Sequence, residues 1–485
     1  MKVLLINPPD DLRAVIGSGA NLIMPIEPLG LLYVAAAARE AGHEVFVMDA
    51  FVEKLSQEDV VRRIAEIAPN VVGMTTFTSC GGIVYELGRA IRERMPEVPV
   101  VLGNVQAAVY AEAYLKNGAC DLVVHGEGEY VFLKVLDTLQ EGSRDFSSVP
   151  EVSFIKDGVF VKNQAEGRIE DLGRVPFPAR DLVDQAHYDL PAVSNIPYEG
   201  SRDRRGKHMF TSRGCPNRCT FCTVHHSRRQ RAVDAVRAVD EMEMLVNEYN
   251  AGYIFMMDSL FVARKKRVLE ICDEIRRRNL SFAWGCEAHV RFVDAELIRA
   301  MDAAGCHDMA FGIESGVQRL LDAVKKNTTP AMVAEAVSCV RKNSDIKVSG
   351  LFILGLPGET KKDSLETIRF ACSLPLHMAQ FSVLVPYPGS DIYYELSQRG
   401  EIDTGVSPDG ALRPEVWRRY SSYVSYTDNE PIWVTPTLSA AELKALQKKA
   451  LRRFYFRPSR FIAQAKRLSL RNLPVMVKTA FDTFF

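Results

Sequence analysis

The sequence lacks the two kinds of segment that would place it in or across a membrane. No uninterrupted apolar run reaches the roughly eighteen residues that a transmembrane helix needs. Residues 1–6 run directly into an apolar strand pattern, and no charged and then apolar leader precedes it. Ten cysteines in a chain without such a leader predict a protein of the reducing cytoplasm.

The chain also carries almost no net charge, but its charged residues are unevenly distributed along the sequence. The net charge is −1, yet residues 443–478 hold eleven Lys or Arg and no Asp or Glu, so the remainder carries −12. Such an asymmetry indicates an anionic partner for the basic segment. The segment is interpreted as part of a helical region with a solvated basic face, or as a peripheral contact with anionic lipid. Because the rest is acidic and no nucleic-acid motif is present, we expect no nucleic acid partner.

A fourth cysteine is missing from one short cysteine run. Residues 212–222 read Ser-Arg-Gly-Cys-Pro-Asn-Arg-Cys-Thr-Phe-Cys, which spaces Cys215, Cys219 and Cys222 as Cys-x3-Cys-x2-Cys. Ferredoxin patterns supply four thiolates and saturate a four-iron cluster. Three thiolates leave one iron open to bind and reduce a substrate. The alternatives are a structural zinc site completed by His225 or His226, or three unrelated thiols.

The first part of the chain alternates short apolar runs with amphipathic stretches. Five such β–α units in a row predict a doubly wound five-stranded parallel sheet over residues 1–145. The predicted strands are 2–6, 44–48, 71–75, 98–102 and 121–124. The predicted helices are 28–41, 57–67, 82–94, 107–116 and 129–140. Ligands of these sheets bind at the carboxyl ends of the strands, where the strand order reverses.

The loops after the predicted strands hold small residues. Residues 7–27 form a long loop that begins Asn-Pro-Pro, residues 75–82 read Thr-Thr-Phe-Thr-Ser-Cys-Gly-Gly, and Gly103-Asn104 and His125-Gly-Glu follow the last two strands. A loop of that length in a compact unit is usually functional. The small residues leave room for a bulky flat ligand, or they only make tight turns.

The second part repeats the β–α pattern after a connector. Residues 146–200 begin with a hairpin-like stretch near Val152 and Val159, and residues 401–485 form a helical C-terminal region. Between them, six β–α units over 201–400 predict an open partial barrel, with its active site at the carboxyl ends of the strands. The predicted strands are 208–211, 252–257, 281–285, 309–312, 347–353 and 380–385. The cysteine run directly follows the first of them.

The cysteine run, with the aromatic Phe221 before its last cysteine, resembles the signature of the radical S-adenosylmethionine (SAM) superfamily. The first domain resembles the cobalamin-binding domain that precedes many radical SAM domains. The resemblance covers roughly residues 1–400. Matching motifs are Asn-Pro-Pro at 7–9, Pro-Leu-Gly at 28–30, Gly-Glu-Gly-Glu at 126–129, Gly-Ile-Glu-Ser-Gly at 312–316, Gly-Leu-Pro-Gly-Glu-Thr at 355–360 and Pro-Tyr-Pro-Gly-Ser at 386–390.

The sequence departs from this pattern in two places. The usual Gly-Gly after the fourth strand is Gly103-Asn104 here, and Asn tolerates a left-handed backbone. The Asp-x-His-x-x-Gly motif of cobalamin mutases is absent, so we expect no histidine beneath the cobalt.

The resemblance implies three cofactors: a 4Fe–4S cluster, SAM and cobalamin. The implied metal ligands are Cys215, Cys219 and Cys222. The implied cofactor-binding residues are Asn7, Pro8, Thr76, Thr78, Ser79, Gly103, Asn104, Gly126, Glu127, Phe221, Arg291, Glu314 and Ser315.

We predict two catalytic residues, Asp258 after the second barrel strand and Cys286 in the third. The resemblance implies methylation of an unactivated carbon in a small-molecule or lipid-like substrate, with electrons from an external donor of the flavodoxin or ferredoxin type. The alternatives are cyclisation or rearrangement without net methyl transfer, a first domain that is an empty scaffold, and a non-catalytic sensor. The expected location is the cytoplasm, with membrane association as a second interpretation.

Overall fold

The computed structural model describes residues 1–10, 12–17, 25–188, 205–226 and 228–457. The chain divides into two compact units. The first unit comprises Met1–Ala14, Pro25–Tyr188 and Tyr387–Tyr420, and the second comprises Val15–Met24, Asp189–Pro386 and Ser421–Phe485. The basic segment at 443–478 lies within the described residues only as far as Arg457, so its interpretation stays a prediction.

The first unit is built on a seven-stranded sheet with helices between its strands. The strand order is β2-β1-β3-β4-β5-β6-β7, in which the first five strands are parallel and β6 and β7 form an antiparallel extension. The strands are β1 (Lys2–Asn7), β2 (Glu44–Asp49), β3 (Val71–Thr75), β4 (Val100–Gly103), β5 (Leu122–Val124), β6 (Val152–Lys156) and β7 (Val159–Lys162). The helices are α1 (Leu12–Ile16), α2 (Leu29–Glu40), α3 (Gln57–Ile67), α4 (Gly81–Arg94), α5 (Asn104–Val109), α6 (Ala111–Lys116) and α7 (Gly128–Gln140).

This sheet confirms the predicted doubly wound fold and extends it. The order reverses at β1, which lies between β2 and β3, so the carboxyl ends of β1 and β3 flank the switch point. The core residues 3–6 of β1 are at most 2% exposed because helices cover both faces of the sheet. The hairpin expected in the connector pairs with β5 and becomes the sixth and seventh strands.

The second unit contains the predicted six-stranded partial barrel. Its strand order, β15-β14-β13-β12-β11-β8, is the order along the chain, and every neighbouring pair is parallel. The strands are β8 (Arg205–Met209), β11 (Ala251–Met256), β12 (Ala283–Ala288), β13 (Cys306–Glu314), β14 (Lys347–Leu354) and β15 (Met378–Val383). Two short strands, β9 (Ser212–Arg213) and β10 (Arg231–Ala232), form a separate pair. The helices are α8 (Ala235–Glu248), α9 (Lys265–Arg277), α10 (Ala295–Ala303), α11 (Gln318–Ala323), α12 (Pro330–Asn343) and α13 (Lys361–Ser373).

Alternate residues of the barrel strands face opposite sides. One set, which includes Trp284 and Cys286 of β12, is fully buried in the hydrophobic core beneath the helices. The other set includes Gly285, where an added Cβ would lie 2.2 Å from the Tyr253 hydroxyl and 2.7 Å from Asp308 Oδ1. The second set therefore lines the inner face of the sheet, which the helices do not cover.

The segment 387–420 completes the first unit. It contains α14 (Asp391–Gln398) and packs its aromatic side chains against α5 and α6. The Tyr393 hydroxyl donates to the Tyr110 hydroxyl over 2.7 Å, and the Trp417 ring lies 5.1 Å from the Tyr110 ring and 5.8 Å from the Tyr114 ring. Trp417 and Tyr114 are also the neighbours that an added Cβ at Gly81 would meet at 2.9 Å.

The described part of the C-terminal region holds one longer helix, α15 (Ala440–Tyr455). A capping box joins Ser439 and Glu442 at its start, and its buried face packs on the barrel. The Gln447 amide donates to the Phe381 carbonyl over 2.7 Å, which fixes the helix to β15. Within the described residues, no helix has both the length and the apolar character to cross a bilayer.

Candidate functional site

The cysteine run forms a loop at the carboxyl end of β8, where the prediction placed it. The antiparallel pair β9 and β10 closes the base of this loop, because Arg231 pairs with Arg213 and Ala232 with Ser212. The Gln230 amide donates to Ser212 Oγ over 3.2 Å and to the Leu260 carbonyl over 2.6 Å. The protein's own hydrogen bonds therefore hold the two ends of the loop together.

Asp258 holds the first end of the loop from below. Its buried carboxylate accepts hydrogen bonds from the Thr211 amide (2.6 Å), the Thr211 hydroxyl (2.7 Å) and the Ser212 hydroxyl (2.5 Å). Arg267 donates to the Thr211 carbonyl over 3.0 Å and to the Val233 carbonyl over 2.6 Å. Burial raises the pKa of Asp258, and these hydrogen bonds and the nearby guanidinium oppose that shift. This arrangement favours a positioning role for Asp258, and the sequence did not reveal Gln230 or Arg267 as its companions.

The three cysteines of the run lie close enough to influence one another electrostatically. Burial raises the pKa of Cys219 to about 11 and also raises the pKa of Cys222. The Val224 amide donates to Cys222 Sγ over 3.4 Å, and the Asn217 amide donates to Cys215 Sγ over 3.6 Å. Hydrogen bonds to sulfur of this kind stabilise thiolates and tune iron–sulfur clusters. The donor set fits a cluster with three protein ligands.

A site for a single metal ion needs a different arrangement of ligands from a cluster site. Among the described residues, no group of three His, Cys, Asp or Glu side chains converges in the way that one metal ion requires. The side chains of His225 and His226 lie outside the described part of the chain, so the zinc alternative is not tested there.

A buried ion pair lies beside these thiols. Lys326 Nζ donates to Glu314 Oε1 over 2.6 Å, and the two side chains are only 9% and 8% exposed. Glu314 ends β13 with a positive φ of 65°, which turns its carboxylate inward. Glu314 and the thiols raise the pKa of Lys326 against the effect of burial, so the ammonium stays charged. Sequence reasoning identified Glu314 but missed Lys326, which stands in a polar stretch that reads as a solvated loop.

The two glycines around Glu314 allow close contacts. A Cβ at Gly312 would lie 2.8 Å from Glu314 Oε1 and 2.9 Å from Lys326 Nζ, so glycine leaves room for the ion pair. A Cβ at Gly316 would lie 2.6 Å from Cβ of Phe370 on α13. Between the glycines, the fully buried Ser315 hydroxyl lies 3.0 Å from Thr367 Oγ1. The Gly-Ile-Glu-Ser-Gly motif therefore combines one buried charge with dense packing.

At the end of β12, neighbouring side chains point to opposite sides of the sheet. Cys286 is completely buried next to Cys272 and Cys306, which favours a packing role over contact with substrate. Glu287 points to the opposite side, where its side chain is exposed, and partial desolvation and the neighbouring Glu314 raise its pKa. Burial and the Lys326 charge lower the pKa of His289, on the loop after β12, to about 4, so it is neutral near pH 7.

Two other predicted SAM or cluster residues lie on turns. Arg291 is exposed in the single turn after β12, and Phe221 is half-buried just before Cys222. The roles assigned to these two residues stay predictions.

In the first unit, the carboxyl ends of β3 and β4 present an open, partly polar edge. No described atom lies within 4 Å of the position that a Cβ would take at Gly103. Asn104 has a positive φ of 79°, and its side-chain amide donates to Thr75 Oγ1 over 3.1 Å. The Thr76 hydroxyl is completely buried and has no hydrogen-bond partner among the described residues. Phe77 is 53% exposed at this edge. An unfilled space with an unsatisfied hydroxyl and an exposed aromatic ring fits a large flat cofactor.

The other predicted cofactor residues of this unit are held by local hydrogen bonds. The Asn7 amide donates to Asp49 Oδ1 over 2.8 Å, beside the buried Pro8. The Thr78 hydroxyl donates to Gln106 Oε1 over 3.0 Å, and the Ser79 hydroxyl donates to Asp10 Oδ2 over 2.6 Å.

The fifth-strand turn is fixed in a similar way. Gly126 has a positive φ of 68°, and a Cβ there would lie 3.5 Å from Arg168 and Glu151. Glu127 Oε2 accepts from the Ile169 amide over 3.0 Å. The described residues of these turns are thus held by local hydrogen bonds, although their individual roles stay predictions.

Comparisons with known proteins agree with both predicted domains. Residues 18–136 match the B12 binding domain, and residues 209–371 match the radical SAM superfamily. The chain is 29% identical over 464 residues to an uncharacterized methyltransferase of Pyrococcus horikoshii, which covers 94% of this chain and 93% of the relative. It is 28% identical over 413 residues to the anaerobic magnesium-protoporphyrin IX monomethyl ester cyclase of Rubrivivax gelatinosus, which covers 83% of this chain and 71% of the relative.

A solved structure shows the same fold. The radical SAM methyltransferase TsrM from Kitasatospora setae, solved with cobalamin and a 4Fe–4S cluster bound, superposes with a TM-score of 0.68. The match covers 94% of this chain and 89% of that chain. At 20% sequence identity the likeness supports the fold and leaves the substrate open.

Proposed function

Because the chain is a cobalamin-dependent radical SAM enzyme, in which a B12-binding domain precedes a radical SAM domain, we propose that it methylates an unactivated carbon of a small-molecule or lipid-like substrate. The observation that carries this proposal is the archaeal relative described as a methyltransferase, which matches nearly the whole of both chains. The likeness therefore includes both cofactor domains and the residues that connect them.

Different residues of this chain would bind the iron–sulfur cluster and cobalamin. Cys215, Cys219 and Cys222 would hold the iron–sulfur cluster, and the edge formed by Thr76, Gly103 and Asn104 would hold cobalamin. When bound, the cluster supplies an electron to SAM and cobalamin carries the methyl group, so the protein contributes binding, orientation and exclusion of water.

The inner face of the barrel offers a place for the substrate. Leu351 of β14 is level with Gln380 of β15 on this face, and Glu287 points to the same side from β12. The Tyr423 hydroxyl interacts with the side chains of Gln380 and Ser382 and closes one side of the wall. This wall mixes apolar and hydrogen-bonding groups, a composition that suits a substrate with both an apolar body and a polar group.

We also expect an external electron donor. The cysteine loop carries three exposed basic residues, Arg218, Arg228 and Arg229, whose charge suits an acidic protein of the flavodoxin or ferredoxin type.

A second candidate function is cyclisation or rearrangement without net methyl transfer. The relative from Rubrivivax gelatinosus, described as a cyclase, favours it, because that match also extends through both cofactor domains of this chain. The two functions share the cofactors and differ in the fate of the methyl group of SAM.

The product of a labelled reaction separates the two functions. The anaerobically reconstituted enzyme is loaded with cobalamin, reduced with dithionite and given SAM with a trideuterated methyl group, together with small-molecule and lipid extracts. Methylation predicts a product that carries the trideuteromethyl group, with both 5′-deoxyadenosine and S-adenosylhomocysteine formed. An altered product with 5′-deoxyadenosine and no deuterium would contradict methylation and support cyclisation or rearrangement.

Two cysteine variants control this experiment. Cys222→Ala removes a predicted cluster ligand and should abolish 5′-deoxyadenosine formation. Cys339→Ala changes a half-buried cysteine on α12, outside the cysteine loop, and should retain it. Equal activity of the two variants would show that the cysteine run does not hold the cluster.

A further inference from the structure

The turn after α11 is anchored to the cysteine loop. The Thr220 amide, between the second and third cysteines, donates to the Val324 carbonyl over 3.1 Å. The turn itself is tight, because Lys325 and Asn327 both have positive φ values, of 53° and 55°. The Lys326 amide donates to the Leu321 carbonyl over 2.9 Å and closes the turn. The backbone therefore holds the position of the lysine relative to the loop.

Lys326 is directed inward and its charge acts on the thiols. Its ammonium group is held at 2.6 Å by Glu314, and neither side chain is more than 9% exposed. Lys326 lies close enough to Cys219 and Cys222 for its charge to act on both thiols, and its turn is hydrogen-bonded to Thr220, the residue that follows Cys219. A charge removed from Lys326 is therefore removed from the immediate surroundings of the cysteine loop.

A fixed positive charge near a redox centre favours the reduced form of that centre. One-electron reduction adds a negative charge to the cluster, and a nearby buried cation stabilises the product of that step. Solvent and salt screen the charge of Lys326 little, because its side chain is only 9% exposed. The charge therefore makes reduction of the cluster more favourable, and the lysine does this without contacting the substrate.

We propose that Lys326 is a built-in cation that makes the iron–sulfur cluster of this protein easier to reduce, with Glu314 holding it in place. The inference rests on the proposed function only in that Cys215, Cys219 and Cys222 hold the cluster. It assigns a role to a residue outside the cysteine run, and it separates that role from binding of SAM.

The test is a potentiometric titration of the reconstituted cluster without SAM, followed by the EPR signal of the reduced form. Lys326→Met and Lys326→Gln remove the charge, and Lys326→Arg keeps it. In both neutral variants we expect the reduction equilibrium to shift about tenfold toward the oxidised cluster, which is about 59 mV for a one-electron couple. Lys326→Arg should titrate close to the wild-type protein.

Lys207→Met provides the matched control. Lys207 is another buried lysine of the same unit, and its ammonium group lies 5.6 Å from the centre of the Tyr249 ring, just after α8. This variant should leave the potential unchanged. An equal shift in Lys207→Met would show that the effect comes from general loss of buried charge and would overturn the proposal.

Three further results would overturn the proposal. The first is a reduction potential of the neutral variants equal to that of the wild-type protein. The second is a shift of the potential in Lys326→Arg as large as that in Lys326→Met. The third is failure of both neutral variants to assemble a cluster that Lys326→Arg assembles normally. Iron content is measured in every sample. A wild-type protein without iron and without an EPR signal would instead refute the cluster assignment itself, so the two failures are distinguishable.

Discussion

Replacing Asp258 with Asn tests whether this carboxylate holds the cysteine loop or takes part in the chemistry. The carboxylate accepts three hydrogen bonds of 2.5–2.7 Å from Thr211 and Ser212. Asn keeps a single acceptor oxygen, so at least one of the three donors, the Thr211 amide or one of the two hydroxyls, loses its acceptor. A hydrogen bond to a charged group contributes about 1.5–3 kcal/mol, and burial, which raises the pKa of Asp258, makes the charge itself costly. We therefore expect a net weakening of the loop by about 2 kcal/mol, or roughly thirtyfold in its opening equilibrium.

The assay is the rate at which an iron chelator removes the reconstituted cluster under anaerobic conditions. Asp258→Asn should lose its cluster up to roughly thirtyfold faster than the wild-type protein. The 5′-deoxyadenosine formed per remaining cluster should be unchanged. Asp294→Asn is the control, because Asp294 caps α10 through the Leu297 amide and pairs with Lys265 on α9, both outside the cysteine loop.

The opposite pattern would refute this reasoning. If Asp258→Asn keeps its cluster as long as the wild-type protein but forms little 5′-deoxyadenosine per cluster, the carboxylate takes part in the chemistry. That result would support the catalytic role that the sequence suggested for it.

Three more predictions follow from the packing and the charges. Gly312→Ala would press a methyl group against Glu314 and Lys326, so we expect a loss of about 1–3 kcal/mol in unfolding free energy, measured in urea, and an unchanged midpoint would contradict it. Burial raises the pKa of Asp308 to about 7 from an ordinary value of 3.8; the folded state therefore keeps a proton that the unfolded chain releases, and stability should fall by a few kcal/mol as the pH rises from about 4 to about 7. Asp308→Asn should flatten this part of the pH profile of the unfolding midpoint, and a profile identical to that of the wild-type protein would exclude Asp308 as its source. Gly103→Leu should fill the open space at the carboxyl edge of the first sheet and weaken cobalamin retention roughly tenfold, as followed by absorbance, whereas undiminished retention would place the cofactor elsewhere.

The sequence was sufficient for those features that depend on local spacing. The Cys-x3-Cys-x2-Cys run and the alternation of apolar and amphipathic stretches predicted the two domains, their cofactors and their parallel sheets, and these predictions are confirmed. The bounds of β3 and α3 are those predicted, because an apolar run and a capping box mark their ends.

The contacts that arrange the site were beyond the reach of sequence reasoning. Lys326 reads as one more charge in a polar loop, and only the fold brings it to Glu314, at the end of β13, and to the thiols, about a hundred residues earlier. Gly312 and Gly316 are recognised only as parts of a motif; neither has a positive φ, and each instead allows a close contact, with Glu314 and Lys326 at Gly312 and with Phe370 at Gly316. The residues that close the cysteine loop, among them Gln230 and Arg267, carry no motif of their own.

The first unit is assembled from separate stretches of chain, and this has a consequence for how it is made. Its aromatic cluster joins Tyr110 and Tyr114 to Tyr393 and Trp417, which the ribosome adds only after the whole barrel sheet has been synthesised. A nascent chain that ends before this segment would expose Tyr110, Tyr114 and the neighbouring face of α4 to water. The cobalamin-binding unit therefore cannot mature as the chain emerges in order, and the last step of its folding waits until most of the protein exists.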